Sequence, residues 1–136
     1  MRYLPNFFQK HQLNKLFICF PDPHFKVKNH RRRIVNTVLL SEYAYLIKPG
    51  GRLYTITDVE ELYNWHVAKC DAHPYFRRIP TDQVLAEDPA ALAMMTATEE
   101  SKKVDRSGGK KFVAVYERLA QPESEYSNAP KLAELW

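Results

Sequence analysis

Apolar and aromatic residues run almost unbroken through residues 15–20. The run is too continuous for a strand with one wet face, so it predicts a strand covered on both sides. Pro21 and Pro23 end it, because neither can donate to a ladder and each biases its predecessor away from helix; Asp22 is held extended between them. From Arg31 or Arg33 to Ile47 the period changes. Ile34, Val35, Val38, Leu39, Tyr43 and Leu46 recur at three- and four-residue spacing and predict a helix, stopped by Lys48-Pro49-Gly50-Gly51. Residues 52–57 alternate again and predict a second strand. Asp58 reads as a helix N-cap with Glu61 as its capping-box partner, and Val59, Leu62, Tyr63, His66, Val67 and Cys70 form the buried stripe of a helix ending near His73-Pro74. A short strand is expected over 75–79, then a loop over 80–95 with a helical turn around 90–95. Thr96-Ala97-Thr98-Glu99 matches a second capping box, for a helix that Gly108-Gly109 closes, and 112–119 is the last strand. Residues 1–14 read as a connector with a short helix near 6–10. Beyond Ala120 the Pro, Ser, Glu and Asn content predicts a mobile tail, with at most a final turn at 132–136.

This order is an α/β pattern whose first two strands should be parallel. In such sheets ligands bind beyond the carboxyl ends of the strands. Asp22, Thr57 with Asp58, and the Thr96 to Glu100 turn would all fall near that edge.

Length and composition change the picture little. The chain has 136 residues, 45% hydrophobic and 26% charged, enough for a single core and ordinary for a globular domain. Its apolar runs are too short to cross a bilayer and Met1 is not followed by a signal pattern, so the compartment reads as intracellular, with no membrane partner. Cys19 and Cys70 stand at predicted buried positions without metal-ligand spacing, which argues against a disulfide framework or a metal site. His66 and His73 read as helix-face residues, and Trp65 as packing.

Charge adds more. The net charge is only +4, but residues 24–33 carry five Lys and Arg with no acid, whereas 81–100 carry Asp82, Glu87, Asp88, Glu99 and Glu100 with no Lys or Arg. A local basic block suits a phosphate backbone; the plainer reading is a solvated helix N-terminus. Cations at a helix start oppose its macrodipole, which weighs against the plainer reading.

Several separated motifs then carry a resemblance. Phe20-Pro21-Asp22-Pro23-His24-Phe25-Lys26 with its basic run, Leu46-Ile47-Lys48-Pro49-Gly50-Gly51, Thr55-Ile56-Thr57-Asp58, and Thr96-Ala97-Thr98-Glu99-Glu100 with Gly108-Gly109-Lys110 resemble the tRNA (guanine-N7)-methyltransferases. The Pro-His-Phe form is similar to the eukaryotic branch, which implies the nucleus. The resemblance implies a Rossmann-like class I fold that transfers the methyl of S-adenosylmethionine to N7 of a guanine in the tRNA variable loop, position 46 in tRNA numbering, without a metal. It makes Asp22 the active-site aspartate and puts Cys19 at a backbone contact to the cofactor. Thr98, Glu99 and Glu100 match a motif near cofactor and base. Lys26, Lys28, His30, Arg31, Arg32 and Arg33 would engage tRNA, with Asp58 in the same substrate-side set. A WD-repeat propeller subunit is the implied partner, in a heterodimer.

The residue types agree with that chemistry. Guanine N7 presents a lone pair, so methyl transfer needs alignment more than a strong base. The opposite edge offers N1–H and an amino group to one carboxylate, which also stabilises the cationic product. Asp22 or Glu100 can fill either part, and Thr98 is equally a helix cap or a cofactor contact.

One departure matters. The glycine-rich first turn and the acidic end of the second strand are missing; the only glycines, Gly50-Gly51 and Gly108-Gly109, do not join a strand to a following helix. The chain therefore resembles a partial fold: residues 1–120 as the C-terminal half of the methyltransferase domain, lacking the N-terminal glycine-rich strands, and 121–136 as a flexible tail. The expectations are an uncovered edge on the first strand, weak or no S-adenosylmethionine binding by this chain alone, and truncation of a longer protein in preference to a short one. The alternative in function is a catalytically silent module that binds tRNA or a partner through its basic segment.

Overall fold

Strand β1 (Leu13–Cys19) runs parallel to β2 (Ile47–Thr57), β2 antiparallel to β4 (Phe112–Arg118), and β4 antiparallel to β3 (Phe76–Ile79), in a computed structural model that describes residues 9–120. The sheet order is β1-β2-β4-β3. Alternation along the strands sorts their side chains onto two faces. On one, Ile18, Leu53, Ala114 and Tyr116 pack with Leu40, Tyr43 and Ala44 of α1 (Thr37–Leu46) and Cys70 of α2 (Glu60–Asp71). On the other, Tyr54, Ile56, Val113 and Val115 pack with Val84 of α3 (Thr81–Glu87) and with Ala91 and Met94 of α4 (Pro89–Thr96). Helix α5 (Glu99–Arg106) is fastened to α4 by Ser101, whose buried Oγ donates to Met94 O at 2.8 Å.

The expected α/β order and the parallel first pair hold, and several local expectations are corrected. Strand β1 is not covered on both faces: Ile18 is buried, but Phe17 is 44% exposed and stacks on Tyr54 with ring centroids 4.5 Å apart, and Cys19 is exposed rather than buried. It is an edge strand, and its Phe17 face is only partly covered. The arginines do not start a helix. Val27–Arg32 forms a 3₁₀ turn, Arg33 turns extended, and α1 opens only at Thr37, where Asn36 Oδ1 accepts from Leu39 N at 2.9 Å. The conflict between the arginines and a helix dipole therefore does not arise.

Lys48-Pro49-Gly50-Gly51 is not a loop after the helix. Helix α1 passes straight into β2, and these residues bulge from the strand: Leu13 pairs with Ile47 but Lys15 with Arg52. Gly50 sits at φ +85, and a Cβ on Gly51 would lie 2.7 Å from Asn14 O and 2.9 Å from Lys48 O, so backbone on both sides excludes a side chain. Asp58 does not cap α2. The cap position is Val59, whose N–H is already taken by Thr57 Oγ1 at 3.1 Å, and the Glu61 carboxylate turns to Arg33. The expected loop over 80–95 is two helices, α3 and α4. The second capping box shifts by two residues, because Thr96 ends α4 with Oγ1 on Leu92 O while Thr98 Oγ1 accepts from Ser101 N. Gly108, at φ +73, closes α5 as expected. The connector helix near 6–10 falls mostly outside the described residues, and the tail after 120 wholly so.

Candidate functional site

The carboxyl ends of β1 and β2 lie side by side, tied by Phe20 N donating to Ile56 O at 2.8 Å. In a parallel ladder successive residues point their amides to opposite sides, so the N–H and C=O of Cys19 face away from β2, toward an edge with no partner strand among the described residues. The chain then makes two left-handed steps, Phe20 at φ 50 and His24 at φ 45, on either side of Pro21-Asp22-Pro23. Such backbone costs a non-glycine residue of order 1–3 kcal/mol and persists only where its surroundings hold it.

Two side chains hold it. Arg33 is completely buried; its Nε donates to Pro23 O at 2.8 Å, its Nη2 to Glu61 Oε2 at 2.6 Å, and its guanidinium lies 4.8 Å from the Trp65 ring centroid. His30 Nε2 hydrogen-bonds Phe25 O at 3.3 Å and sets its ring edge against Trp65. Trp65 is itself fixed by Nε1 donating to Val35 O at 2.7 Å. The tethered loop presents Asp22 with its side chain 71% exposed. Its Oδ1 accepts from His24 N at 2.9 Å, and its other oxygen makes no hydrogen bond among the described residues. Asp22, Pro21, His24, Arg32, Ile34 and Leu39 line a cleft of about 410 Å³, which brings one carboxylate and one guanidinium together.

The remaining sequence-predicted residues divide. Lys26, Lys28, Arg31 and Arg32 are exposed around the 3₁₀ turn and form a cationic rim. Arg33 does not belong to that rim, because the loop consumes it. Asp58 is exposed just past β2. Thr98 caps α5, Glu99 lies 3.8 Å from Lys102, and Glu100 is exposed in the first turn. Met95 packs beside the core cluster that Phe20 also borders, and Lys111, just before β4, donates to Met95 O at 2.6 Å. These contacts bring the end of α4 toward the Phe20 end of β1, yet no hydrogen bond or ion pair joins Asp22 to Thr98, Glu99 or Glu100 among the described residues.

Sequence reasoning missed Glu61 as the anchor of Arg33, and nothing in local spacing couples residues 28 apart in sequence. It also missed Asp88, although Asp88-Pro89 is an N-cap followed by proline in the first turn. Asp88 Oδ1 accepts from Ala90 N, and Oδ2 from Tyr54 OH at 2.6 Å and Arg52 Nη1 at 2.8 Å. Burial pushes that carboxyl up, but those hydrogen bonds outweigh it and the net shift is downward. This cluster locks α4 to β2.

Against known proteins, residues 1–114 match the family described as "Putative methyltransferase". Among curated proteins the chain is similar to the tRNA (guanine-N(7)-)-methyltransferases of Botryotinia fuckeliana, 54% identical over 122 residues, Chaetomium globosum, 57% over 122, and Schizosaccharomyces pombe, 56% over 123. Each alignment covers 90% of this chain but only 43%, 41% and 44% of the relative, so the chain spans less than half the length of the proteins it matches. A four-stranded mixed sheet with helices on both faces is consistent with a partial class I methyltransferase fold. With the family match reaching from residue 1 to residue 114 of 136, the chain belongs to this methyltransferase family.

Proposed function

We propose that this chain carries the guanine-positioning edge of a tRNA (guanine-46-N7)-methyltransferase. The observation that carries the reading is Asp22: an exposed carboxylate on a strained, doubly tethered loop at the carboxyl end of a parallel strand pair, rimmed by Lys26, Lys28, Arg31 and Arg32. Asp22 accepts the N1–H and amino group of guanine together, which turns N7 away from the loop. As N7 takes up positive charge, the same fixed carboxylate stabilises it. Lys26, Lys28, Arg31 and Arg32 hold the flanking phosphates, so that the base enters the cleft in one orientation. Arg33 acts through the loop and not on the substrate.

S-adenosylmethionine, when bound, supplies an electrophilic methyl on a sulfonium. The outward-facing N–H and C=O of Cys19 give a donor and an acceptor on the side of β1 away from β2, and these fit one part of that group; Thr98, Glu99 and Glu100 complete the cofactor-side assignment, in a Rossmann-like half-domain. The proposal extends to a WD-repeat propeller as protein partner and to the nucleus as compartment, both supported by the eukaryotic-like Pro23-His24-Phe25 motif.

The test is Asp22→Ala in the full-length enzyme, as long as the curated relatives. N7-methylguanosine formation should be abolished while tRNA affinity changes less than about twofold. Retained methylation would remove Asp22 from this role, and equal loss of binding would make it a folding or docking residue.

A further inference from the structure

Phe25 is the side chain of the loop that the guanine chemistry leaves unused. The residue is 66% exposed, although its carbonyl is held by His30 and the Pro23 carbonyl two residues before it by Arg33. A lone exposed aromatic is ordinary on a protein surface. Here the setting is specific: the backbone is fixed by two side-chain tethers and left-handed at His24, so the ring is presented from a held position and not from a free loop. Its neighbours are Lys26, Lys28, Arg31 and Arg32, with no acid from His24 to Arg33. The exposed carboxylate of Asp22 stands three residues away on the same bracket.

That company selects among occupants. A protein partner would favour an apolar patch depleted in lysine; Val27 is exposed near Phe25, but the exposed residues that flank the pair along the chain include Lys26, Lys28, Arg31 and Arg32. Unpaired RNA asks for a π face to stack a base, cations for the adjoining phosphates and a polar group for the base edge. We propose that Phe25 is a stacking platform for a nucleobase of the RNA strand, held beside the base that Asp22 reads. The inference rests on the tRNA-methylating function and adds to it a specific aromatic contact. Phe25 is then a binding residue for unpaired or flipped bases, and it contributes nothing to the cofactor.

The experiment compares Phe25→Ala, Phe25→Leu and Phe25→Trp in the full-length enzyme, with an unmodified tRNA transcript as substrate. Stacking predicts that Ala and Leu each raise KM for tRNA about 5- to 100-fold, that Trp stays within about twofold of wild type, and that S-adenosylmethionine affinity is unchanged in all three. In Phe25→Trp the added tryptophan should also be quenched when the transcript binds, beyond the wild-type signal. Phe25→Leu at wild-type KM, or no added quenching, would overturn stacking. Loss of a co-purifying protein subunit with tRNA kinetics intact would overturn it in favour of a protein contact. If wild type methylates tRNA and Phe25→Ala is indistinguishable from it, the platform fails alone. If wild type neither binds nor methylates tRNA, the underlying function fails with it.

Discussion

Arg33 Nη2 and Glu61 Oε2 meet at 2.6 Å across the junction between the Asp22 loop and α2, with the arginine fully buried and the glutamate side chain 56% exposed. The pair is asymmetric in consequence. Removing the glutamate leaves a guanidinium still bonded to Pro23 O and lying near Trp65, but buried without its counter-charge and with Nη1 already lacking a hydrogen-bond partner among the described residues. Removing the arginine strands a carbonyl, opens a cavity and frees the loop.

We therefore expect Arg33→Ala to cost about 3 kcal/mol in urea denaturation and Glu61→Gln about 1–2 kcal/mol, because the amide oxygen still accepts from Nη2 while the buried guanidinium loses its counter-charge. Arg33→Lys should fall between them, because an ammonium cannot reach Pro23 and Glu61 with the same fork. In the full-length enzyme Arg33→Lys should lower kcat at least about tenfold through misplacement of Asp22. Equal costs for Arg33→Ala and Glu61→Gln would show that the pair, and not the tether to Pro23, holds the loop.

The two buried histidines make stability depend on acid. Burial first, and then Arg33, lowers His66 to about 4; burial and then Arg118 lowers His73 to about 4. Both are neutral when folded, while the unfolded chain protonates them near 6.5, so between about pH 6.5 and 4 the unfolded state binds more protons and stability falls with pH. Each contributes a slope of up to about 1.4 kcal/mol per pH unit in that window and none above it. His73 has a settled tautomer: Tyr75 N donates to its Nδ1, so Nε2 carries the proton and donates to Ser41 Oγ. Urea midpoints from pH 7.5 to 4.5 check this, and His66→Leu should flatten the curve, the remaining slope coming from His73 and from His11, which burial also lowers. A flat wild-type curve would contradict it.

The cations around the 3₁₀ turn should behave as phosphate contacts. Alanine at Lys26, Lys28, Arg31 or Arg32 is expected to weaken tRNA binding in the full-length enzyme and to reduce the slope of log K against log salt by about 0.7–1 each. Any loss from Arg33→Lys should leave that slope intact, since the side chain faces inward. A slope unchanged by all four alanines would place the RNA elsewhere.

The contrast between Arg32 and Arg33 shows what the sequence could and could not tell. Adjacent cations in one basic run look alike on paper, and only the arrival of α2 from 28 residues away separates a surface arginine from a buried one. Periodic and short-range signals read well: the first strand stops just before Pro21, at Cys19, and the stripe of Leu62, His66 and Cys70 and the helix-closing Gly108 stand where the pattern puts them. Signals with competitors read less well. Asn36 caps α1, but apolar spacing that starts earlier, at Ile34, places the expected helix start upstream of it; Asp58 does not cap α2, because Thr57 Oγ1, one residue before it, takes the Val59 N–H. The coverage of β1 is not legible in its composition, which reports how apolar a strand is and not how far the neighbouring helix layer extends. For the candidate site, the exposed placement of Asp22 and of the cations behind it is legible in Pro21-Asp22-Pro23 and the basic run, whereas the tethers from Arg33 and His30 are not.

The most direct measurement is the location of the methyl group. Full-length enzyme, S-adenosylmethionine and a tRNA transcript should yield N7-methylguanosine at one guanine of the variable loop, mapped by chain cleavage at the modified base and by nucleoside mass. A transcript with that guanine changed to adenine should take up no label. Methyl found at another atom or another position, or undiminished transfer to the changed transcript, would contradict the account.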